Sequence, residues 1–256
     1  MINLKDPNEV KTFREACRIA ATVLHRMKEA AEVGMNTRDL DQIGREWMDK
    51  LGARSACFNY RGGGNQPFPC HTCISVNEEV VHGIGTLQRQ LQPGDLVSLD
   101  VVVWYEGFVG DNATTICLGE PDDEAARLLN VTEKALHLAI DKAWPGNRVG
   151  VLSQTVQRFV EKKGFSVVRD FVGHGVGKSM HEEPQIPNFG KKSDGPRIRS
   201  GMALAIEPMV NAGTCQVEVL PDNWTVVTRD RQRSAHFEHT VLVTKAGPEI
   251  LTIPKI

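Results

Sequence analysis

The chain lacks an excess of either charge: thirty lysines and arginines stand against thirty-two aspartates and glutamates. No global field therefore draws it to nucleic acid or an anionic membrane, and a small neutral-to-polar substrate suits it better. Long apolar runs are missing as well. Nothing approaches the ~18 consecutive apolar residues of a membrane span, and the opening MINLKDPNEVKTF has no apolar core of signal-peptide length. The expectation is a soluble, cytosolic protein. Cysteine is sparse: Cys17, Cys57, Cys70, Cys73, Cys117 and Cys215 are too scattered for a disulfide framework and read as free thiols. Cys70 and Cys73 form a CxxC, but no second pair completes a zinc site and no strand-to-helix context supports a redox motif. Linkers and low-complexity tracts are also lacking. Residues 1–256 are expected to form one domain, with an N-terminal half to about 120 and a C-terminal half from about 121.

What is present is organised around Pro93 to Leu118, an apolar stretch carrying Asp100 and Asp111. Leu96 to Val103 is dense in β-formers, Glu106-Gly107 supplies a turn, and Val109 to Leu118 reads as the returning strand. Carboxylates in such a run are costly unless paired, protonated or bound to a cation. Two side by side repel, and a metal ion is the simplest remedy. For the hairpin alone, one Asp ending a strand and the other capping a turn is an equal reading.

The rest of the chain decides. Asp6-Pro7-Asn8-Glu9 predicts a helix start, and Val10, Phe13, Cys17, Ala20, Leu24, Met27 and Ala31 continue at helical spacing to Gly34. A second helix is expected from Thr37 as cap to Leu51-Gly52. Residues 57–72 read as a loop, with Gly62-Gly63-Gly64, Pro67 and Pro69 opposing regular structure. A strand from Cys73 to Val81 leads into HGIG at 82–85. Further helices are expected from Asp122 to Trp144 and from Val149 to Lys163. Helix, Gly, helix, Gly thus occurs twice, HGIG is echoed by HGVG at 174–177, and LQPGDLVSLDVVV by IRSGMALAIEPMV. That register sets Glu207 opposite Asp100, and on the closing strand, at a different offset, Asp111 is matched by Glu238 in FEHTVLVT. Two similar halves facing each other bring four carboxylates to one centre.

Four negative charges exceed what one divalent ion balances and suit two. Oxygen donors with imidazole favour manganese, iron, cobalt or zinc, and carboxylates can bridge ions ~3.5 to 4 Å apart. A water between them would lose a proton near neutral pH and serve as nucleophile. The fifth ligand should be a histidine in Gly-rich backbone, and His174 is the candidate. Gly177-Lys178-Ser179 mimics the end of a phosphate-binding loop, but Val172 occupies the place of its first glycine. The isolated His25, His71 and His137 receive no role, whereas His82 and His181 lie in or near the motifs.

These motifs, HGIG, SLD-x10-D, GHGVG-x3-HEEP, AIEP and RSAHFEHT, span the whole chain, which resembles the type I methionine aminopeptidases of the pita-bread metallopeptidase family. The resemblance implies an α+β pita-bread fold, two pseudo-symmetric halves of helices on a curved antiparallel sheet. It implies five ligands for two divalent ions, Asp100, Asp111, His174, Glu207 and Glu238, with Asp111 and Glu238 bridging and Glu207 also moving protons. His82 and His181 would contact substrate and tetrahedral intermediate. The methionine pocket maps to Cys57, Tyr60, Phe68, Cys73, His82, Met180 and Trp224. The implied reaction is hydrolysis of the first peptide bond of chains beginning with methionine and a small second residue. Nascent polypeptides are the implied partners, the chain acting as a monomer with no membrane or nucleic acid required. No zinc-finger or proline-rich extension precedes the catalytic part, which leaves ribosome contact unassigned. Three departures bear on the pocket: a longer loop from Tyr60 to Cys73, Met180 where an aromatic is common, and His236 where a glutamine is usual.

Overall fold

A computed structural model describes residues 6–62 and 66–255. The expected turn glycines Gly63 and Gly64, and the first five residues of the N-terminal stretch, lie outside the described residues. The first half runs α1 (Pro7–Ala30), α2 (Thr37–Lys50), β1 (Arg54–Ser55), β2 (Cys73–Val76), β3 (Glu79–Val81), β4 (Leu96–Tyr105) and β5 (Phe108–Cys117). The second opens with α3 (Asp123–Ile140), α4 (Val149–Lys162), β6 (Ser166–Val167), β7 (Val172–Gly175), β8 (Glu182–Pro187) and β9 (Ala203–Ile206). It closes with β10 (Met209–Asn211), β11 (Val217–Val219), β12 (Val226–Thr228), β13 (Ser234–His236), β14 (Glu238–Thr244) and β15 (Gly247–Ile250).

The main sheet is antiparallel, in the order β1-β4-β5-β14-β9-β7-β8, with β2 also on β4 and β15 also on β14. The duplication is visible in that order: β4 and β5 of one half meet β14 and β9 of the other, and β5 against β14 is the seam. Helices cover one face of the curled sheet. Ile19, Val23 and Met27 of α1 and Leu40 and Met48 of α2 pack on Val97, Leu99, Val101 and Val103, alternate residues of β4. Residues of α3 and α4 pack likewise on Leu204, Ile206, Val241 and Val243. Period-two alternation leaves the other residues of these strands facing the opposite, concave side. Gly110 lets α1 lie this close, since a Cβ there would stand 2.3 Å from the Ala16 carbonyl oxygen.

Helix ends depart from the sequence reading for local reasons. In α1 the capping box is present, with the Asp6 carboxylate accepting from the amides of Asn8 and Glu9, but the helix ends at Ala30. Gly34, at φ 90°, sits in the turn beyond and is tied to the Leu91 carbonyl. The cap of α2 is Asn36, whose side chain accepts from the Asp39 amide; the Thr37 hydroxyl instead bonds Thr86. At the end of α3 the chain tightens to i+3 bonds, Lys142 to Ala139 and Ala143 to Ile140, four residues before Trp144. The stretch 73–81 is two strands broken at Asn77, φ 57°. The β4–β5 hairpin closes through Glu106 and Gly107, both at positive φ, the two-residue turn whose twist matches paired strands.

Candidate metal centre and substrate pocket

The strand register assembles the acidic cluster. Ala113 of β5 is opposed by Asp100 of β4 on one side and by Glu238 of β14 on the other, while Asp111 lies two residues along the same face. The small Ala113 leaves the space between them to carboxylates. His174 of β7 faces Ala205 of β9, and Glu207 follows two residues after Ala205, which carries both to the same concave side. One ligand atom each from Asp111, His174 and Glu238 falls within 4.8 Å of the others. His174 Nε2 lies 3.4 Å from Glu207 Oε1 and 3.9 Å from Asp111 Oδ2. Close backbone is needed here: a Cβ on Gly175 would stand 2.2 Å from the Glu183 carbonyl oxygen.

The electrostatics are those of an acid cluster short of positive charge. Burial, opposed by the nearby His236, pushes the Asp100 carboxyl up to about 6. Burial followed by repulsion from neighbouring carboxylates holds Asp111 and Glu238 well above the usual carboxylate range. Asp100 Oδ1 and Glu238 Oε1 are out of reach of solvent and accept no hydrogen bond from the described residues. His174 Nδ1 lies 3.0 Å from the Gly175 carbonyl, to which it donates in the tautomer that aims the Nε2 lone pair at the carboxylates. Orphaned buried oxygens, crowded carboxylates and an oriented imidazole fit divalent cations with oxygen and nitrogen ligands.

All five residues of this cluster border one cavity of about 230 Å³. Its remaining walls include every expected pocket residue: Cys57, Tyr60, Phe68, Cys73, His82, Met180, His181 and Trp224. Phe68 meets Trp224 edge to face with ring centres 5.3 Å apart, and Cys73 stands in register with Asp100. His82, at φ 59°, is edge-on to Phe171 at 5.6 Å, and burial pushes its pKa down to about 4. His181 packs edge-on to His174 at 4.5 Å, and its Nδ1 shares a 2.8 Å hydrogen bond with the Tyr60 hydroxyl. Burial and the neighbouring His174 lower its pKa to about 4 as well, so both imidazoles are neutral at pH 7.

Six walls were absent from the sequence reading of the pocket: Gly62, Val81, Val102, Phe171, Val172 and Met209. Val102 was available by alternation from Asp100, but nothing marked Phe171 out. The departure at His236 proves close to the chemistry, with its Nε2 3.4 Å from Glu207 Oε2. Cys70 and Cys73 part company: the Cys70 thiol turns to the Gly85 carbonyl while Cys73 lines the cavity.

A curled antiparallel sheet with helices behind it and buried carboxylates in its concave face is the architecture of the pita-bread metallohydrolases. The profile of Metallopeptidase family M24 matches residues 11–245. "Methionine aminopeptidase 1" of Bacillus subtilis is 46% identical over 252 residues, covering 98% of this chain and 99% of that protein. A methionine aminopeptidase of Clostridium perfringens is 45% identical over 255 residues, covering 100% of both. Among solved structures, a methionine aminopeptidase of Thermotoga maritima superposes with a TM-score of 0.94 at 44% identity, over 98% of this chain and 99% of that one. A prolidase of Pyrococcus horikoshii shares the fold at TM-score 0.79 and 23% identity, with 98% of this chain matching 64% of that one. The chain belongs to metallopeptidase family M24, among its methionine aminopeptidases.

Proposed function

We propose that this chain hydrolyses the first peptide bond of peptides and nascent proteins that begin with methionine followed by a small residue. Residues 1–256 act as one catalytic domain, in the cytoplasm and as a monomer. Two divalent ions would be held by Asp100, Asp111, His174, Glu207 and Glu238. When bound, such ions supply Lewis-acid polarisation of the scissile carbonyl and a water acidic enough to ionise near neutral pH. The observation that carries the reading is one cavity, in which the metal-type donors form one wall and an apolar, sulfur- and aromatic-lined slot the other.

The protein's own groups divide the work. Phe68, Trp224, Cys57 and Met180 surround a thioether-sized side chain and exclude water from it. His82 and His181, neutral at pH 7, can donate a hydrogen bond to a substrate carbonyl without bringing a further charge. The Tyr60 hydroxyl fixes the ring of His181 for that task. Glu207 sits between His174 and His236, where it can hold a proton on its way from water to the leaving amine.

The test is cleavage of Met-Ala-Ser against an Ala-Pro peptide, in chelated protein and after adding manganese, iron or cobalt. Release of methionine that depends on the added metal is expected. Undiminished turnover in protein shown by elemental analysis to be metal-free, or preference for the Ala-Pro peptide, would overturn the reading.

A further inference from the structure

Behind the seam of the sheet, on the face opposite the carboxylates, lies a second cleft of about 210 Å³. Its floor is a cross-strand pair, Asn112 of β5 and His239 of β14, each one residue from a carboxylate that points the other way. Asn112 is only 3% exposed, and its buried Oδ1 accepts no hydrogen bond from the described residues. An amide oxygen so placed awaits a donor or a cation. His239 is oriented from behind: its Nδ1 lies 2.8 Å from the Thr252 hydroxyl. When that nitrogen donates, the Nε2 lone pair is the free one, which is the arrangement found where histidine holds a metal.

The wall of the cleft supplies a second imidazole. His137, exposed on α3, stands with its ring centre 5.8 Å from that of His239 at an interplanar angle of 55°. Two imidazoles on one ion, each bonded at about 2.1 Å, can have ring centres no more than about 6.4 Å apart, so the pair is within span. Glu133, one turn before His137 on α3, adds a carboxylate at the rim, while the exposed Lys28 of α1 lines the far side.

We propose that this cleft is a metal site separate from the catalytic centre. It takes one divalent transition ion of the nitrogen-preferring kind on His137 and His239, with Asn112 Oδ1 as the oxygen donor and water completing the shell. Imidazole ligands select copper, nickel or zinc over magnesium or calcium. An ion there ties α3 to the seam between the two halves.

The experiment titrates Cu²⁺ into protein already loaded at its catalytic centre, reading stoichiometry by equilibrium dialysis and ligation by electron paramagnetic resonance. Wild type should hold one Cu²⁺ beyond its catalytic complement, with hyperfine structure from two nitrogens. His137→Ala, an exposed position, should weaken that ion's binding roughly tenfold or more and remove one nitrogen coupling, with methionine release unchanged. His239→Ala should do the same to binding, and if it fails to fold, His137→Ala decides alone. Identical Cu²⁺ binding and spectra in wild type and His137→Ala would overturn the assignment, as would an extra ion kept in His137→Ala but lost in a His25→Ala variant, His25 of α1 being the third histidine that lines the cleft.

Discussion

Stripped of metal, the acidic cluster should make this protein less stable as pH rises, with Asp100 carrying a measurable share. Its carboxyl ionises near 3.8 when exposed in the unfolded chain and near 6 in the folded one. Between those values the folded state holds more protons than the unfolded state, so stability falls with increasing pH and the penalty is complete above about pH 7. A rise of roughly 2 units, at 1.36 kcal/mol each, amounts to about 3 kcal/mol. For a chain of this size that is a loss of roughly 6–12 °C in Tm. Asp100→Asn keeps the shape and removes the charge, so in chelated protein at pH 7.5 it should melt higher than wild type by an amount of that order. At pH 4 the two should converge. Adding manganese to wild type should abolish the deficit, because an ion that binds only the folded state stabilises it. The assay is thermal unfolding by circular dichroism between pH 4 and 7.5, with and without chelator. Equal Tm values for the chelated proteins at pH 7.5, or a difference that does not shrink as pH falls, would refute the reasoning.

Glu207→Gln, which keeps the volume and removes the carboxylate proposed to carry the proton beside His174, should fold normally and lose at least ~10²-fold in turnover, checked by kcat with far-UV circular dichroism as control. His181→Ala should lower kcat by roughly 10² with a nearly unchanged KM, since a bond that strengthens as the carbonyl becomes tetrahedral does not tighten ground-state binding; a raised KM with intact kcat would assign it to binding instead. Met180 lines the pocket with a flexible thioether, so Met180→Phe should sharpen the ratio of kcat/KM for Met-Ala-Ser over Leu-Ala-Ser; one methylene is worth only ~1 to 3 kcal/mol, and an unchanged ratio would remove this side chain from selectivity.

Local chemistry in the sequence determined a good deal. The Asp6 capping box, the Glu106-Gly107 turn and the glycines after α2 and α4 act over a few residues, and each stands where the pattern put it. The duplication was legible too, because matched elements keep matched residue types, and so Asp100 pairs with Glu207 and Asp111 with Glu238 across the two halves. Other features depend on partners distant along the chain. Thr37 has the makings of a helix cap, yet Thr86, far along the chain, claims its hydroxyl and leaves the task to Asn36. The periodicity of α1 runs on past Ala30, but Gly34 is bound to Leu91 and the helix stops short. Phe171 carried no signal, because what makes it a wall of the pocket is where β7 begins relative to His82. The cleft holding Asn112, His137 and His239 was likewise hidden, since no motif joins these residues. Only the register of β5 on β14 and the packing of α3 over that seam bring them together: side-chain direction alternates along a strand, but which residue of another element it meets is fixed by tertiary packing.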